Sequence, residues 1–211
     1  MDLPRNSMSK QFHSMLGVVA RKRANAGGVS VEGFEGVGIP DGWSLLGNSP
    51  DWDNESVVLS GTKSVEFAFN ESANTPTRSA ESEIWYRFRI YWDVDTAANL
   101  RFLDATGFRI FIKSGNIMRV QHGGVNLDVS LAAATHYRVK IRYVASSGAN
   151  DGVCEVYIDT TDTFGAADAT TSVGAATVKP TTEIVGNENQ SNTALVYLDD
   201  WSVTTTDPGD F

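Results

Sequence analysis

The sequence predicts an all-β fold, two stacked antiparallel sheets with a short amphipathic helix in front of them, and three observations predict it. Apolar and polar residues alternate with period two in several runs, above all Ser82 to Trp92. β-Branched and aromatic residues gather in short runs separated by Gly, Asn, Asp and Ser, the composition of all-β chains. A chain of 211 residues, 41% hydrophobic and 20% charged, can bury one substantial core rather than two.

The first element is the exception to the β pattern. From Met8 onward Met8, Phe12, Met15, Leu16 and Val19 recur at helical spacing and fall within about 100° of a helical wheel. Ser7 or Ser9 can cap its start, Arg21-Lys22-Arg23 complements the dipole at its end, and Gly27-Gly28 terminates it. A helix of roughly 12 to 16 residues is marginal alone, so its apolar stripe needs a receiving surface. That surface is either one end of its own sandwich or another protein, a frayed tail being the remaining reading. The glycine hinge and the contrast of charge with the body favour a docking role. Residues 1–28 are therefore read as a basic arm, 29–204 as the sandwich and 205–211 as a loose acidic tail.

Strand-like runs follow the hinge. They cover Val29 to Phe34, then, after the turn-rich Gly36 to Gly42, Trp43 to Leu46, Ser56 to Leu59 and Val65 to Phe69. In Ser82 to Trp92 one face carries Ile84, Tyr86, Phe88, Ile90 and Trp92 and the other Trp85, Arg87, Arg89 and Tyr91. A meander comes next, Leu100 to Asp104, Phe108 to Lys113 and Ile117 to His122, with Ser114-Gly115-Asn116 as a tight connection. Tyr137, Val139, Ile141 and Tyr143 alternate with Arg138, Lys140 and Arg142, and Val153 to Asp159 repeats the pattern. Asp162 to Pro180, rich in Ala, Thr and Gly, reads as a long loop. Glu183 to Val185 and Ala194 to Thr204 complete about a dozen strands, enough for two stacked sheets.

Charge excludes several function classes. Residues 1–28 carry a balance of +4, which leaves −13 for the rest of a chain whose net charge is −9. A body so negative repels phosphate backbones, whose binding rests on Lys and Arg. No segment approaches the roughly 20 apolar residues of a membrane span. Phe12 to Ala20 is interrupted by His13 and Ser14 and followed by its charges, so no secretory signal is expected, and a site of action outside the cell implies release by lysis or in a particle. The single cysteine, Cys154, lies in an alternating apolar run and can build neither a disulfide nor a thiolate metal site; it reads as a small buried hydrophobe.

Two motifs carry a resemblance. Gly33-Phe34-Glu35-Gly36 followed by Ile39-Pro40-Asp41-Gly42-Trp43, together with the closing Tyr197-Leu198-Asp199-Asp200-Trp201-Ser202-Val203, resembles the first and last strands of concanavalin A-like and laminin-G-like jelly rolls over residues 29 to 204. The resemblance implies a two-sheet jelly-roll sandwich, Trp43 and Trp201 in its framework, and a role in binding glycans, cleaving them or holding surfaces together. A basic arm on an acidic sandwich also resembles phage virion proteins that dock by the arm and display the sandwich outward. The partners so implied are other virion proteins and a cell-surface glycan. Helical spacing leaves open whether the arm meets a neighbouring copy of this chain or a different protein.

The residues themselves supply little catalytic chemistry. A glycan-cleaving jelly roll needs two carboxylates on one strand face; Glu155 and Asp159 share a face, but Tyr157 lies between them and turn residues follow. His13, His122 and His136 are scattered without metal-binding spacing and read as surface or loop-end residues. No Gly-x-Ser-x-Gly turn and no phosphate-cradling loop occurs. The oxygen-rich Asp51, Asp53, Asn54 and Glu55 suit a hard cation such as calcium, without the spacing of a calcium loop, and Asp199-Asp200 adds two carboxylates. Sugar binding relies on exposed rings beside amides and carboxylates. Trp52, between Asp51 and Asp53, is the first candidate for such a platform, followed by Trp85 and Tyr91. The expected function is a non-catalytic attachment or decoration module that displays a lectin-like sandwich, the competing reading being a glycan hydrolase or lyase acting through Glu155.

Overall fold

The longest alternating run becomes the centre of a two-sheet sandwich. The protein is described by a computed structural model over residues 30–96, 98–188 and 193–211; the arm residues Met8, Phe12, Met15, Leu16 and Val19 lie outside this range. The strands are β1 Ser30–Glu32, β2 Ser44–Leu45, β3 Asp51–Asn54, β4 Ser64–Phe67, β5 Ser72–Asn74, β6 Glu83–Trp92, β7 Leu100–Ala105 and β8 Phe108–Lys113. They continue as β9 Ile117–His122, β10 Val125–Ser130, β11 Tyr137–Val144, β12 Gly152–Asp159, β13 Ala169–Gly174, β14 Ile184–Gly186 and β15 Val196–Thr204. Among the described residues none is helical, and no helix is long and apolar enough to cross a membrane.

One sheet runs in the order β13-β12-β11-β6-β15-β4-β3, with β1 beside β4 along the same edge of β15, and the other in the order β10-β9-β8-β7-β14-β5-β2. All pairings between these strands are antiparallel. The period-two pattern fixes which side faces inward: Ile84, Tyr86, Phe88, Ile90 and Trp92 are buried between the sheets, as are Val139, Ile141 and Tyr143. From the facing sheet Phe102 and Phe108 meet them, Tyr86 stacking on Phe108 at 5.1 Å and Phe88 lying 5.3 Å from Phe102. Cys154 is buried in the same layer, which pushes its thiol up to about 12.

The two family-like motifs have a physical reason to occur together. β1 pairs with the second half of β15, and Phe34, Trp43, Trp52 and Trp201 build one aromatic cluster with ring separations of 5.6 to 6.2 Å. Gly42, at φ 84°, makes the turn that delivers Trp43, its backbone lying against Pro76. The chain is thus an all-β sandwich whose opening and closing strands seal one end of the core.

Four local expectations are corrected. Ser56 to Leu59 is irregular, and the strand of this region is β3, because Trp52 and Asn54 point inward while Asp51 and Asp53 point out. The long loop between Asp162 and Pro180 contains β13, which pairs with β12 across a register shift. His122 is buried rather than at the surface: its ring packs edge-on against Tyr143 and lies against Gly152 and Gly174, where any side chain would overlap it. Burial also lowers its pKa. Finally, Thr205–Phe211 is not loose but lies along the outer face of the eight-stranded sheet, held through Arg87 and Lys140.

Two buried carboxyls show how the sandwich handles charge. Glu183, fully buried, receives Thr75 Oγ1 at 2.8 Å, Arg78 Nη1 at 2.7 Å and Tyr86 Oη at 2.8 Å. Asp199 has no such cation. It sits where β15 shifts register and the next residue, Asp200, takes φ 49°, so the strand bulges and re-aims both carboxyls. Burial pushes the Asp199 carboxyl up to about 8, with the amide of Asp200 opposing and the charges of Asp200 and Glu35 reinforcing the shift. A carboxyl whose folded pKa exceeds its unfolded value stabilises the fold fully below about pH 4, and this contribution is lost as pH rises through about 8. Asp199→Asn, which stays neutral, is expected to raise the melting temperature over the parent by an amount that grows from pH 5 to pH 9. Thermal unfolding across that range checks it, and a difference that is constant or shrinks with pH contradicts it.

Candidate functional site

The residues singled out from the sequence separate onto different surfaces. Trp52 is 5% exposed, so it is no open platform: with Asp51 and Asp53 outward, its indole is the inward member of β3 and packs on Trp43 at 5.8 Å and Phe67 at 6.3 Å. The four oxygen-bearing residues around it do not converge on a point. Asp53 takes Lys63 Nζ at 2.9 Å and the amide of Gly38 at 3.2 Å, and the Lys63 hydrogen bond lowers its pKa. The Asn54 side-chain oxygen accepts from the amides of Ser56 and Val57 and from Ser56 Oγ. Asp51 and Glu55 are exposed. Among the described residues no three His, Cys, Asp or Glu side chains gather in metal-ligating geometry.

Trp85 and Tyr91 do share a surface, the outer face of β6, with Arg87 and Arg89 between them. Across β11 the register sets Arg89 opposite Arg138, Arg87 opposite Lys140 and Trp85 opposite Arg142. On the far side, Lys140 stands opposite Tyr157 and Arg142 opposite Glu155 in β12. Two pairs of like charges therefore face each other directly, an arrangement that is destabilising without compensating anions. Compensation comes from outside β6 and β11: Asp162 takes both Arg138 and Arg89, Asp200 of β15 takes Arg89 Nε at 2.6 Å, and Asp207 takes Lys140 Nζ at 3.1 Å. Arg142 is closed in by Glu83 at 2.8 Å and Glu155 at 3.4 Å. The hydrogen bond from Arg138 is the first cause of the lowered Asp162 pKa.

Rings fill the spaces between these charges. Lys140 Nζ lies 4.9 Å from the Tyr157 centroid, 5.0 Å from Phe164 and 5.6 Å from Trp85, and Trp85 stacks on Tyr157 at 6.4 Å. Trp85 is consequently 8% exposed and Lys140 7%. Tyr91 is half-buried against His136 and Tyr197. This face is a boxed row of cations rather than an open aromatic platform.

The carboxylates weighed for catalysis fit poorly. Glu155 and Asp159 lie four residues apart in β12, and at about 3.3 Å per residue their positions are about 13 Å apart, beyond the separations of roughly 5 to 9.5 Å that glycosidases use. Glu155 is engaged by Tyr157 Oη at 3.1 Å, and Asp159 caps the following turn through the amide of Thr161 at 2.8 Å.

An open hollow lies elsewhere, at the edge of the seven-stranded sheet, with a volume of about 510 Å³ and a lining of Leu46, Gly47, Asn48, Asn70, Ser72, Arg101 and Glu188. Sequence reasoning missed it, because its residues come from four separate segments that only the topology unites. Gly47 lets the backbone pass close to the opposite wall: at φ 92°, a Cβ there would sit 3.1 Å from the carbonyl of Asn70. Asn70 itself adopts φ 59°, and its amide donates to the carbonyl of Asn187 at 3.0 Å. Ser72 Oγ donates to the carbonyl of Leu46 at 2.7 Å, while Arg101 is held by Asp104 at 2.5 Å and Glu188 at 3.5 Å. Two amides, a hydroxyl, a carboxylate and a guanidinium thus surround an apolar side chain, Leu46, that stays exposed.

No family model and no curated protein matches the chain. Solved structures share its fold. The receptor-binding domain of botulinum neurotoxin C/D mosaic serotype superimposes with a TM-score of 0.59 at 10% identity over 78% of this chain and 43% of that one. The botulinum neurotoxin serotype D ligand-binding domain, in complex with N-acetylneuraminic acid, gives 0.60 at 9% identity over 78% and 42%. The chain therefore matches less than half the length of these domains. The alginate lyase Aly36B aligns at 11% identity over 68% of this chain and 81% of that one, with a TM-score of 0.49. At such identities the likeness to the two neurotoxin domains establishes the β-sandwich fold alone.

Proposed function

We propose that this protein is a non-catalytic attachment or decoration module of a virus particle, docking by its basic arm and displaying a lectin-like sandwich that takes a glycan in the hollow lined by Asn48, Asn70, Ser72, Arg101 and Glu188. The observation that carries this reading is the hollow itself: open, of monosaccharide to disaccharide size, and lined by paired donors and acceptors around an exposed apolar side chain. Sugar hydroxyls need such convergent amide and carboxylate groups, and the sugar's apolar face needs a patch like Leu46. Arg101 is already neutralised by Asp104 and Glu188, which favours a neutral sugar over an acidic one. The sugar named for a structurally similar domain, N-acetylneuraminic acid, supports a glycan as the class of partner and differs in its carboxylate from the neutral sugar favoured by this lining. The wide spacing of Glu155 and Asp159 supports binding over hydrolysis.

A glycan array at millimolar sensitivity, with and without calcium, tests the reading. Binding is expected, weakened about tenfold or more by Asn70→Ala, which removes an amide, or by Glu188→Gln, which replaces one acceptor oxygen by a donor. It should be unchanged by Trp52→Phe. Silence across the array refutes the lectin role, and release of reducing ends that is lost in Glu155→Gln establishes the enzyme instead.

The arm has its own test. Five apolar side chains in one stripe contribute on the order of 1.5 to 3 kcal/mol each on burial, against ordering costs of about 1 to 2 kcal/mol per residue, so the helix needs a receiving surface. Deleting residues 1–28 should leave the melting temperature nearly unchanged while abolishing incorporation into the particle. A truncated chain that melts several degrees earlier shows that the stripe belongs to its own core.

A further inference from the structure

We propose that the row of cations on the outer face of the eight-stranded sheet is a binding site for an acidic peptide that carries an aromatic residue, and that Asp207–Phe211 of this same chain occupies it as an intramolecular ligand. The face gathers five of the 17 Lys and Arg residues, Arg87, Arg89, Arg138, Lys140 and Arg142, in a chain whose net charge is −9, so it stands against the overall field. Its strand register sets two pairs of cations directly opposite each other. Neighbouring strands supply acids to one pair, Asp159 opposite Arg138 and Asp200 on Arg89, whereas the acid on Lys140 is Asp207 of the closing segment.

The closing segment fits it group by group. Asp207 accepts from Lys140 Nζ through both oxygens, at 3.1 and 3.3 Å. The carbonyls of Pro208 and Asp210 accept from Arg87 Nη1 at 3.3 and 2.5 Å. The Phe211 ring lies under two guanidinium groups, 4.7 Å from Arg87 and 4.4 Å from Arg89. Asp210 Oδ1 accepts from the amide of Phe164 at 3.0 Å, and the amide of Phe211 donates to the carbonyl of Asp162 at 3.2 Å. The turn between the two acids is preformed, with Gly209 at φ 74° and its amide donating to Asp207 Oδ1 at 2.9 Å. A carboxylate, a Pro-Gly turn, a second acid and a ring are thus each met by a separate partner.

Burial divides receptor from ligand. Lys140, which meets Asp207, is buried, while Asp207, Gly209 and Asp210 are exposed. The segment contributes no residue to the core between the sheets. It can lift without unfolding the sandwich, and the surface it bares recognises the same chemistry in another chain. Tethering gives the resident segment an effective concentration of the order of millimolar, so a free peptide competes only when the resident one is weakened.

Fluorescence anisotropy with a labelled peptide spanning residues 205–211 tests this on the full-length chain. The double variant Asp207→Asn, Phe211→Ala, both at the surface, should bind the peptide at least about tenfold more tightly than the unaltered protein, with the gain lost at high salt. A peptide carrying Asp207→Asn and Asp210→Asn, which leaves the protein untouched, should show no gain. Equal binding by the unaltered chain and the variant overturns the proposal, and so does a gain retained by the Asn-bearing peptide. Binding of an anionic polysaccharide such as polygalacturonate to the variant in place of the peptide also overturns it, assigning the face to carbohydrate.

Discussion

Arg89 opposite Arg138 and Arg87 opposite Lys140 are the constraint on which the outer surface of this sandwich is organised. Cross-strand neighbours on one face lie within about 5.5 Å, so like charges there repel unless anions intervene. The chain brings the anions from three directions: Asp162 from the loop after β12, Asp200 from the β15 bulge and Asp207 from the closing segment. The loop, the bulge and the tail are therefore parts of one arrangement. Rings from Trp85, Tyr157, Phe164 and Phe211 fill the gaps between the charges and lower the exposure of the cations to water.

What was legible in the sequence was whatever period-two alternation writes directly. β6, β8, β9, β11 and β12 follow it, and their inward residues form the centre of the core. The framework motifs around Phe34, Trp43 and Trp201 were legible for another reason: three large aromatics at a strand junction have few places to go but one cluster. Two- to four-residue strands such as β2, β3 and β5 are too short to show a period. β3 also reads as an acidic loop because its outward residues are both Asp. β10 did carry a signal, Val125, Leu127 and Val129 alternating after Gly123-Gly124. Its alternate residues Asn126 and Asp128 are types common in turns, which masks the alternation.

The candidate sites were less legible, and the reason is topological. The hollow takes Asn48, Asn70, Arg101 and Glu188 from segments separated by as many as 140 positions, so no local pattern marks it. Trp52 carried the composition of a sugar platform but the orientation of a core residue, and orientation decides. For Trp85 and Tyr91 the shared strand face was readable, whereas their covering by Tyr157 and Lys140 and by His136 and Tyr197 was not. A surplus of Arg and Lys on one strand face, with acids concentrated in an apparent tail, is the signal that links them. The result is two surfaces of different character, an open polar hollow at one sheet edge and a filled cationic row on the other sheet.

The most direct test of this account is amide hydrogen exchange at Phe164 and Phe211, whose N–H groups donate to the Asp210 carboxylate and the Asp162 carbonyl. If the closing segment completes the cationic face, both amides exchange well below unstructured rates at low ionic strength, and their protection falls as salt screens the ion pairs beneath them. Exchange of both at unstructured rates in low salt, with β6 and β11 fully protected, would contradict it.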